Sequence, residues 1–281
     1  LIAWDGDKAG TVSYGLEGVI GSTLAKLTPI QNNIHIPYIG RYLKSKYQVL
    51  HDNCTGATIP HISKNFLNNL KIPLPPLPTQ KKIAAILDKA QALIDNDKKV
   101  LEKYDQLAQS VFLEMFGDPV RNEKGWETNK LSELGYWQSG GTPSKKKEEY
   151  FTGNIPWLTA RELENIYKYD SIDKITDKAI KESAAKIIEP GSLLLGMYDT
   201  AALKSTINKV KLSCNQAIAF SKLDEEKADT LFIYYAIQLG KTYFKRMQRG
   251  VRQKNMNLSM IRNLEIMNPP LKLQYKFSSI I

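Results

Sequence analysis

The sequence predicts a mixed α/β (α+β) fold, two similar domains joined by a long coiled-coil helix. Three observations lead there. A proline-rich joint, IPLPPLPTQ from Ile72 to Gln80, runs straight into a helical pattern and begins again as IMNPPLKLQ from Ile266 to Gln274. The helix after the first joint repeats its apolar residues at heptad spacing. The stretch ahead of the second joint mixes strand-like and helix-like apolar runs, as a layered mixed domain requires.

The joint fixes a repeat. Placing Gly56 over Gly250 sets an offset of 194 residues that holds to the end of the chain: Asn69 meets Asn263, Pro75-Pro76-Leu77 meets Pro269-Pro270-Leu271, and Gln80 meets Gln274. The same offset lays Leu1–Asp5 over Leu195–Asp199, so Asp5 meets Asp199. One repeat of this length marks duplicated domains, because solenoid units are only about 20–50 residues long. In this register residues 1–78 hold no counterpart of residues 117–194.

Between the copies, Ile83, Leu87, Ala90, Ile94, Asp97, Leu101, Tyr104, Ala108, Val111 and Met115 recur at alternating spacings of four and three. This is the 3.5-residue period of a left-handed coiled coil. Thr79 is the predicted N-cap, and Gly117-Asp118-Pro119 the stop. About 37 residues at about 1.5 Å each give a rod of about 55 Å. Prolines ahead of it prevent any earlier helical start. Ile83, Leu87, Ile94, Leu101, Tyr104, Val111 and Met115 are the expected contacts to a second helix or a partner subunit.

In the second copy, Ser192–Tyr198 and Gln216–Phe220 read as buried strands, and Thr230–Met247 as a helix. The expected domains are 1–75, the C-terminal part of a first domain; 76–116, the spacer helix; 117–268, a second domain; and 269–281, the start of a second helix.

Composition excludes several classes. A charged fraction of 24% and no long apolar run fit a globular, non-membrane protein, and no leader-like segment opens the sequence. Two cysteines and three histidines leave no disulfide framework and little material for a metal site, so a reducing, cytoplasmic setting is expected. The formal net charge is +10. The spacer helix is neutral, with six basic and six acidic residues over 79–116. By contrast Lys241, Lys245, Arg246, Arg249, Arg252, Lys254 and Arg262 fall within 241–262 without one acid. A solvated helix face usually intersperses both signs; an unbroken run points to a polyanion such as nucleic acid.

The stretch GYWQSGGTPSKKKEEYFTGNIPWLTARELEN (Gly135–Asn165), coupled to the duplicated PPLxxQ joint and its helix, resembles the specificity subunit of type I restriction–modification enzymes. The resemblance implies two target recognition domains, each followed by a conserved helix. The two domains would read the halves of a split duplex-DNA site, and the helices pair antiparallel as its spacer. It implies two methylation subunits and restriction subunits as partners. S-adenosylmethionine, ATP and Mg would be bound there, with no cofactor and no enzymatic activity in this chain.

Residue chemistry supplies candidates for the DNA contacts. Lys145, Lys146, Lys147, Arg246 and Arg249 suit phosphate contacts, which position a protein without reading sequence, and Lys245 is a further candidate for the DNA. Base edges require planar donors and acceptors, and Arg249, Arg252, Gln253, Lys254 and Asn255 offer them in one short loop. The repeat places Thr58, His61 and Ser63 there instead. Gly141, Thr142, Arg161, Lys204 and Ser205 complete the candidates. A catalytic reading meets Asn268-Pro269-Pro270-Leu271, similar to the NPPY/F motif of amino-methyltransferases. Leucine stands where the base-stacking aromatic is needed, and the first joint lacks the asparagine. His51 and Cys54 have no second pair to complete a metal site. Asp5 and Asp199 fit turn formers better than paired carboxylates. The alternative function is a non-catalytic coiled-coil scaffold whose basic faces are incidental.

Overall fold

The structure, a computed structural model, describes residues 1–56, 59–248 and 255–281. Two compact units divide the chain, Leu1–Glu102 and Lys103–Ile281.

In unit 1, β1 (Ile2–Ala3) pairs antiparallel with β2 (Leu24–Ala25). Helices α1 (Ile36–Ser45) and α2 (Tyr47–Asp52) follow, then the hairpin β3 (Cys54–Thr55) and β4 (His61–Ile62), and α3 (Lys64–Asn69). Ile2, Val12, Leu43, Leu50 and Ile62 form its core. Helix α4 (Leu77–Phe116) opens in this unit. It starts two residues before the predicted cap at Thr79. Pro78 fits its first turn, where a missing N–H leaves no bond unmade, and Thr79 N–H already donates to the Pro76 carbonyl at 2.8 Å. The stop falls where predicted, at Gly117, whose φ of +81° is the left-handed C-terminal cap.

Unit 2 holds the end of α4 and a larger fold. After β5 (Thr128–Lys130), α5 (Leu131–Leu134), β6 (Gln138–Ser139), β7 (Ile155–Leu158), β8 (Tyr167–Lys168), β9 (Asp173–Ile175) and α6 (Asp177–Glu182), the chain enters β10 (Leu193–Gly196), β11 (Ser205–Asn208), β12 (Ser213–Cys214) and β13 (Ile218–Ser221). Helices α7 (Thr230–Phe244) and α8 (Leu258–Arg262), strand β14 (Glu265–Met267) and helix α9 (Leu271–Ile280) complete it. The main sheet runs β6-β13-β10-β11-β8, antiparallel except for the parallel edge pair β11–β8. A second sheet runs β12-β7-β9, and β14 pairs with β5.

The apolar run of β10 follows from its position. Leu193 and Leu195 face one hydrophobic core with Ala219 and Ile207, while Leu194 faces the other with Ile218 and Phe220. Alternate residues point to opposite faces, and both faces are covered, so no polar alternation survives. The first of these cores is built around α7. Phe112 and Phe116 from α4, Phe232 and Tyr235 from α7, and Phe277 from α9 are each nearly or fully buried, with ring centroids 4.8–5.8 Å apart.

The heptad seam therefore divides. Leu87, Ile94, Leu101 and Tyr104 are exposed and Ile83 is half-buried, whereas Ala108 is buried. Val111 and Met115, expected as partner contacts, instead pack against the core of unit 2.

The duplication is visible in the hydrogen bonds. Ser63 caps α3 by accepting from Phe66 N–H, and Asn257 caps α8 by accepting from Met260 N–H, both at the 194-residue offset. The buried Gln80 and Gln274 do one job twice. Gln80 accepts from the N–H of His35, the residue before α1, and donates to the carbonyls of Pro75 and Asn33. Gln274 accepts from the N–H of Asp229, the residue before α7, and donates to the Pro269 carbonyl and the Asn268 side chain. The PPLxxQ joint thus ties the first turn of the outgoing helix to the start of the domain helix.

One part of the register differs from the sequence alignment. Ala3 N–H donates to Thr11 and Gly10 N–H to Ala3, and the matching bonds are Gly196 to Lys204 and Leu203 to Gly196, an offset of 193. The β1 partners Ile2↔Ala25 correspond to Leu195↔Ala219. Asp5 is therefore the equivalent of Tyr198, and Gly6 of Asp199. The left-handed positions agree: Gly6 and Gly10 have φ of +89° and +95°, and Asp199 and Leu203 have +47° and +58°.

Candidate nucleic-acid interface

The last turn of α7 lies against the β10–β11 connection, residues 197–204. Lys245 Nζ donates to the Thr200 carbonyl at 3.4 Å, and Gln248 Nε2 to the Asp199 carbonyl at 3.3 Å. Asn255 bridges to Tyr198, and its Oδ1 accepts from Asp199 N–H at 3.0 Å. Gln238 underpins the group by donating to the Leu203 carbonyl and to Ser205 Oγ. Arg246 lies 5.9 Å from the ring of Tyr243, which is 50% exposed, and Tyr198 is 41% exposed. Burial, then the neighbouring charges of Lys245 and Lys204, pull the Lys241 ammonium down to about 8. Cations, exposed rings and amides thus share one platform, a composition suited to phosphates and base faces.

The sequence candidates divide against this geometry. Lys204, Lys245, Arg246 and Asn255 meet on the platform. Arg249, Arg252, Gln253 and Lys254 lie outside the described residues, as does Thr58. Ser205 is a correction: all of β11 is buried, and its hydroxyl sits inside beneath Gln238. Gly141 is another, since both glycines of the Gly140-Gly141 pair are buried. A Cβ on Gly140 would collide with the Cys214 and Asn215 carbonyls, and one on Gly141 with Ala184. The pair is a close-packing device that lets Trp157 Nε1 donate to the Gly141 carbonyl at 3.0 Å. Thr142 is exposed and donates to Gln216, bringing the two loops together.

Lys145, Lys146 and Arg161 are exposed. Lys147 is held locally by Tyr150 at 2.6 Å and Glu182 at 3.4 Å, which raise its pKa, the tyrosine contributing most. Arg262 belongs to the framework, donating to the Trp137 carbonyl at 2.6 Å. Sequence reasoning missed Lys241, Tyr198, Tyr243 and Gln216. Lys241 was visible only as one of a run of cations, and which face of α7 it occupies decides its role.

In unit 1 the same scaffold carries other chemistry. His61 Nδ1 is 2.5 Å from Asp5 Oδ1. Tyr47 and His51 occupy the positions of Lys241 and Lys245, with their rings stacked at 5.5 Å.

The catalytic rivals find no geometry. Asn268 is committed to structure: its N–H donates to Glu127, its side chain donates to Asn129 and Lys227, and its Oδ1 accepts from Gln274. His51 bonds the Ala9 carbonyl and the Cys54 thiol the Leu50 carbonyl. Among the described residues no group of three or more His, Cys, Asp or Glu is gathered to hold a metal, and no helix is long and apolar enough to cross a membrane.

The family described as type I restriction modification DNA specificity domain matches residues 1–104 and 123–281. The chain belongs to this family. Its similarity to the MjaVIII type I restriction enzyme specificity subunit of Methanocaldococcus jannaschii is 27% identity over 98% of this chain and 69% of that protein. The MjaIX specificity subunit of the same organism is 24% identical over 85% of this chain and 59% of its own length. The EcoR124I/EcoR124II specificity subunit of Escherichia coli is 32% identical over 59% of this chain and 43% of that one. The chain thus spans about 60–70% of the length of the M. jannaschii relatives. The fold is similar to the crystal structure of a type I restriction–modification S subunit from M. genitalium, with a TM-score of 0.57 and 15% identity over 88% of this chain and 65% of that one. For a member of the specificity family, the long helix and the two mixed units are the expected parts.

Proposed function

We propose that this chain is a non-catalytic DNA-recognition subunit of a type I restriction–modification system. Its two units read the two parts of a split duplex target, and α4 serves as spacer and docking rod. Methylation and restriction subunits supply the chemistry, with S-adenosylmethionine, ATP and Mg bound there. The observation that carries this reading is one scaffold used twice with different surface chemistry: Lys204, Lys241, Lys245 and Asn255 in unit 2 stand where Thr11, Tyr47, His51 and His61 stand in unit 1. Two readers of different half-sites need a shared frame and dissimilar contacts. The exposed seam of Leu87, Ile94 and Leu101 supports docking of another helix.

Selection of duplexes from a random pool, by the chain together with its methylation subunits, tests the proposal. Enrichment of a two-part motif is the expected result. A protein inserted with one helical turn, about 5.4 Å, after Leu101 should enrich a motif with a changed gap. Recovery of random sequence would overturn the recognition role, and an unchanged gap the spacer role.

A further inference from the structure

The platform of unit 2 contains an imbalance of charge. Lys241 is half-buried on α7, where its only hydrogen bond among the described residues is to Gln238 Oε1 at 3.4 Å. Lys245, one turn on, has a neutral acceptor, the Thr200 carbonyl. Lys204, from the hairpin, meets Glu164 Oε1 only at 3.7 Å, and that glutamate side chain is 69% exposed. Of these three ammonium groups, only Lys204 has a carboxylate partner among the described residues, and that partner is loosely held. Asp199, on the same connection, has no ion pair among the described residues, and Arg246 turns to the Tyr243 ring. The fold does not require this arrangement, because the equivalent positions of unit 1 hold Thr11, Tyr47 and His51.

Resting on the recognition reading, we propose that Lys204, Lys241 and Lys245 form a seat for one backbone phosphate of duplex DNA, peculiar to unit 2. The physical basis is reciprocal. Burial and two like charges disfavour the Lys241 ammonium in the free protein, and a phosphate among the three amines reverses the sign of the local field. A lysine is suited to this use as a compact point charge whose proton is exchangeable, which arginine is not. With the free amine titrating at about 8 and the bound one near an ordinary lysine, complex formation takes up about half a proton at pH 8. Affinity then falls about tenfold between pH 7 and pH 9.

The test is calorimetric titration of the 281-residue chain with duplex DNA at pH 8, in two buffers of different ionisation heat, alongside binding by fluorescence anisotropy at pH 7 and pH 9. The wild type should take up about half a proton and weaken about tenfold with pH. Lys241→Arg should lose both the proton uptake and most of the pH dependence, because its guanidinium stays charged throughout this range. Lys241→Gln should lose the uptake and flatten the salt slope by about 0.9. Equal proton uptake by the wild type and Lys241→Arg would overturn the seat while leaving DNA recognition intact. Absence of salt-dependent binding by the wild type would overturn the recognition reading itself, and the seat with it.

Discussion

Replacing Gln274 with methionine keeps the volume of the side chain and removes every hydrogen bond it makes. The residue is fully buried and holds three: from Asp229 N–H at 2.9 Å, to the Pro269 carbonyl at 2.7 Å and to Asn268 Oδ1 at 2.8 Å. Each is worth about 0.5–1.5 kcal/mol net, and an orphaned donor or acceptor adds its desolvation, so the expected loss is about 2–4 kcal/mol. With a urea slope of roughly 3 kcal/mol per molar, the midpoint of unit 2 falls by about 1 M. Urea unfolding followed by the emission of Trp126, Trp137 and Trp157 measures it. Gln80→Met, which removes three bonds in unit 1, from the His35 N–H and to the Pro75 and Asn33 carbonyls, provides the matched case and is followed by Trp4. A change under about 0.5 kcal/mol in both variants would refute the claim that the glutamine holds the joint.

Phe277→Ala removes the ring that contacts Phe112, Phe116 and Tyr235, and should destabilise unit 2 by about 3–5 kcal/mol, measured in the same urea series. Gly6→Ala should cost roughly 1 kcal/mol, because its φ is +89° while the space around it is open; a thermal melt checks it. The folded state holds the Lys241 proton more weakly than the unfolded chain, so this lysine costs stability below pH 8 and the cost fades as pH rises towards 10.5. Lys241→Gln should therefore stabilise the free protein at pH 7 and make little difference near pH 11. Burial pushes both thiols upward, Cys214 much further than Cys54, so a thiol reagent at pH 8 should label Cys54 first in the native protein, as peptide mapping would show.

Much of the frame was legible because its signals are local. Prolines, a heptad period and a glycine stop act within a turn or two of where they stand, and α4 and the repeated joint follow from them, while α7 follows from its apolar pattern. The hairpin register was not legible. Asp5 and Asp199 are identical residues at the alignment offset, but the loops leaving the two hairpins differ by one residue, and only the ladder shows that Asp199 takes the left-handed place of Gly6. Tertiary packing also decided the fate of Ser205 and Gly141. Beside Lys204 and Thr142 they look like surface chemistry, and both are consumed by the core. Lys241 is the converse case, since composition marks a basic run without showing that one of its members is half-buried on α7.

The most direct measurement is the slope of log K against log salt concentration for duplex binding, in the wild type and in the double variant Lys245→Ala, Arg246→Ala. A steep slope that flattens by about 1.8 in the variant is the result expected if these two side chains hold phosphates on the reading face of unit 2. A slope that the substitutions leave unchanged would contradict that placement of the DNA.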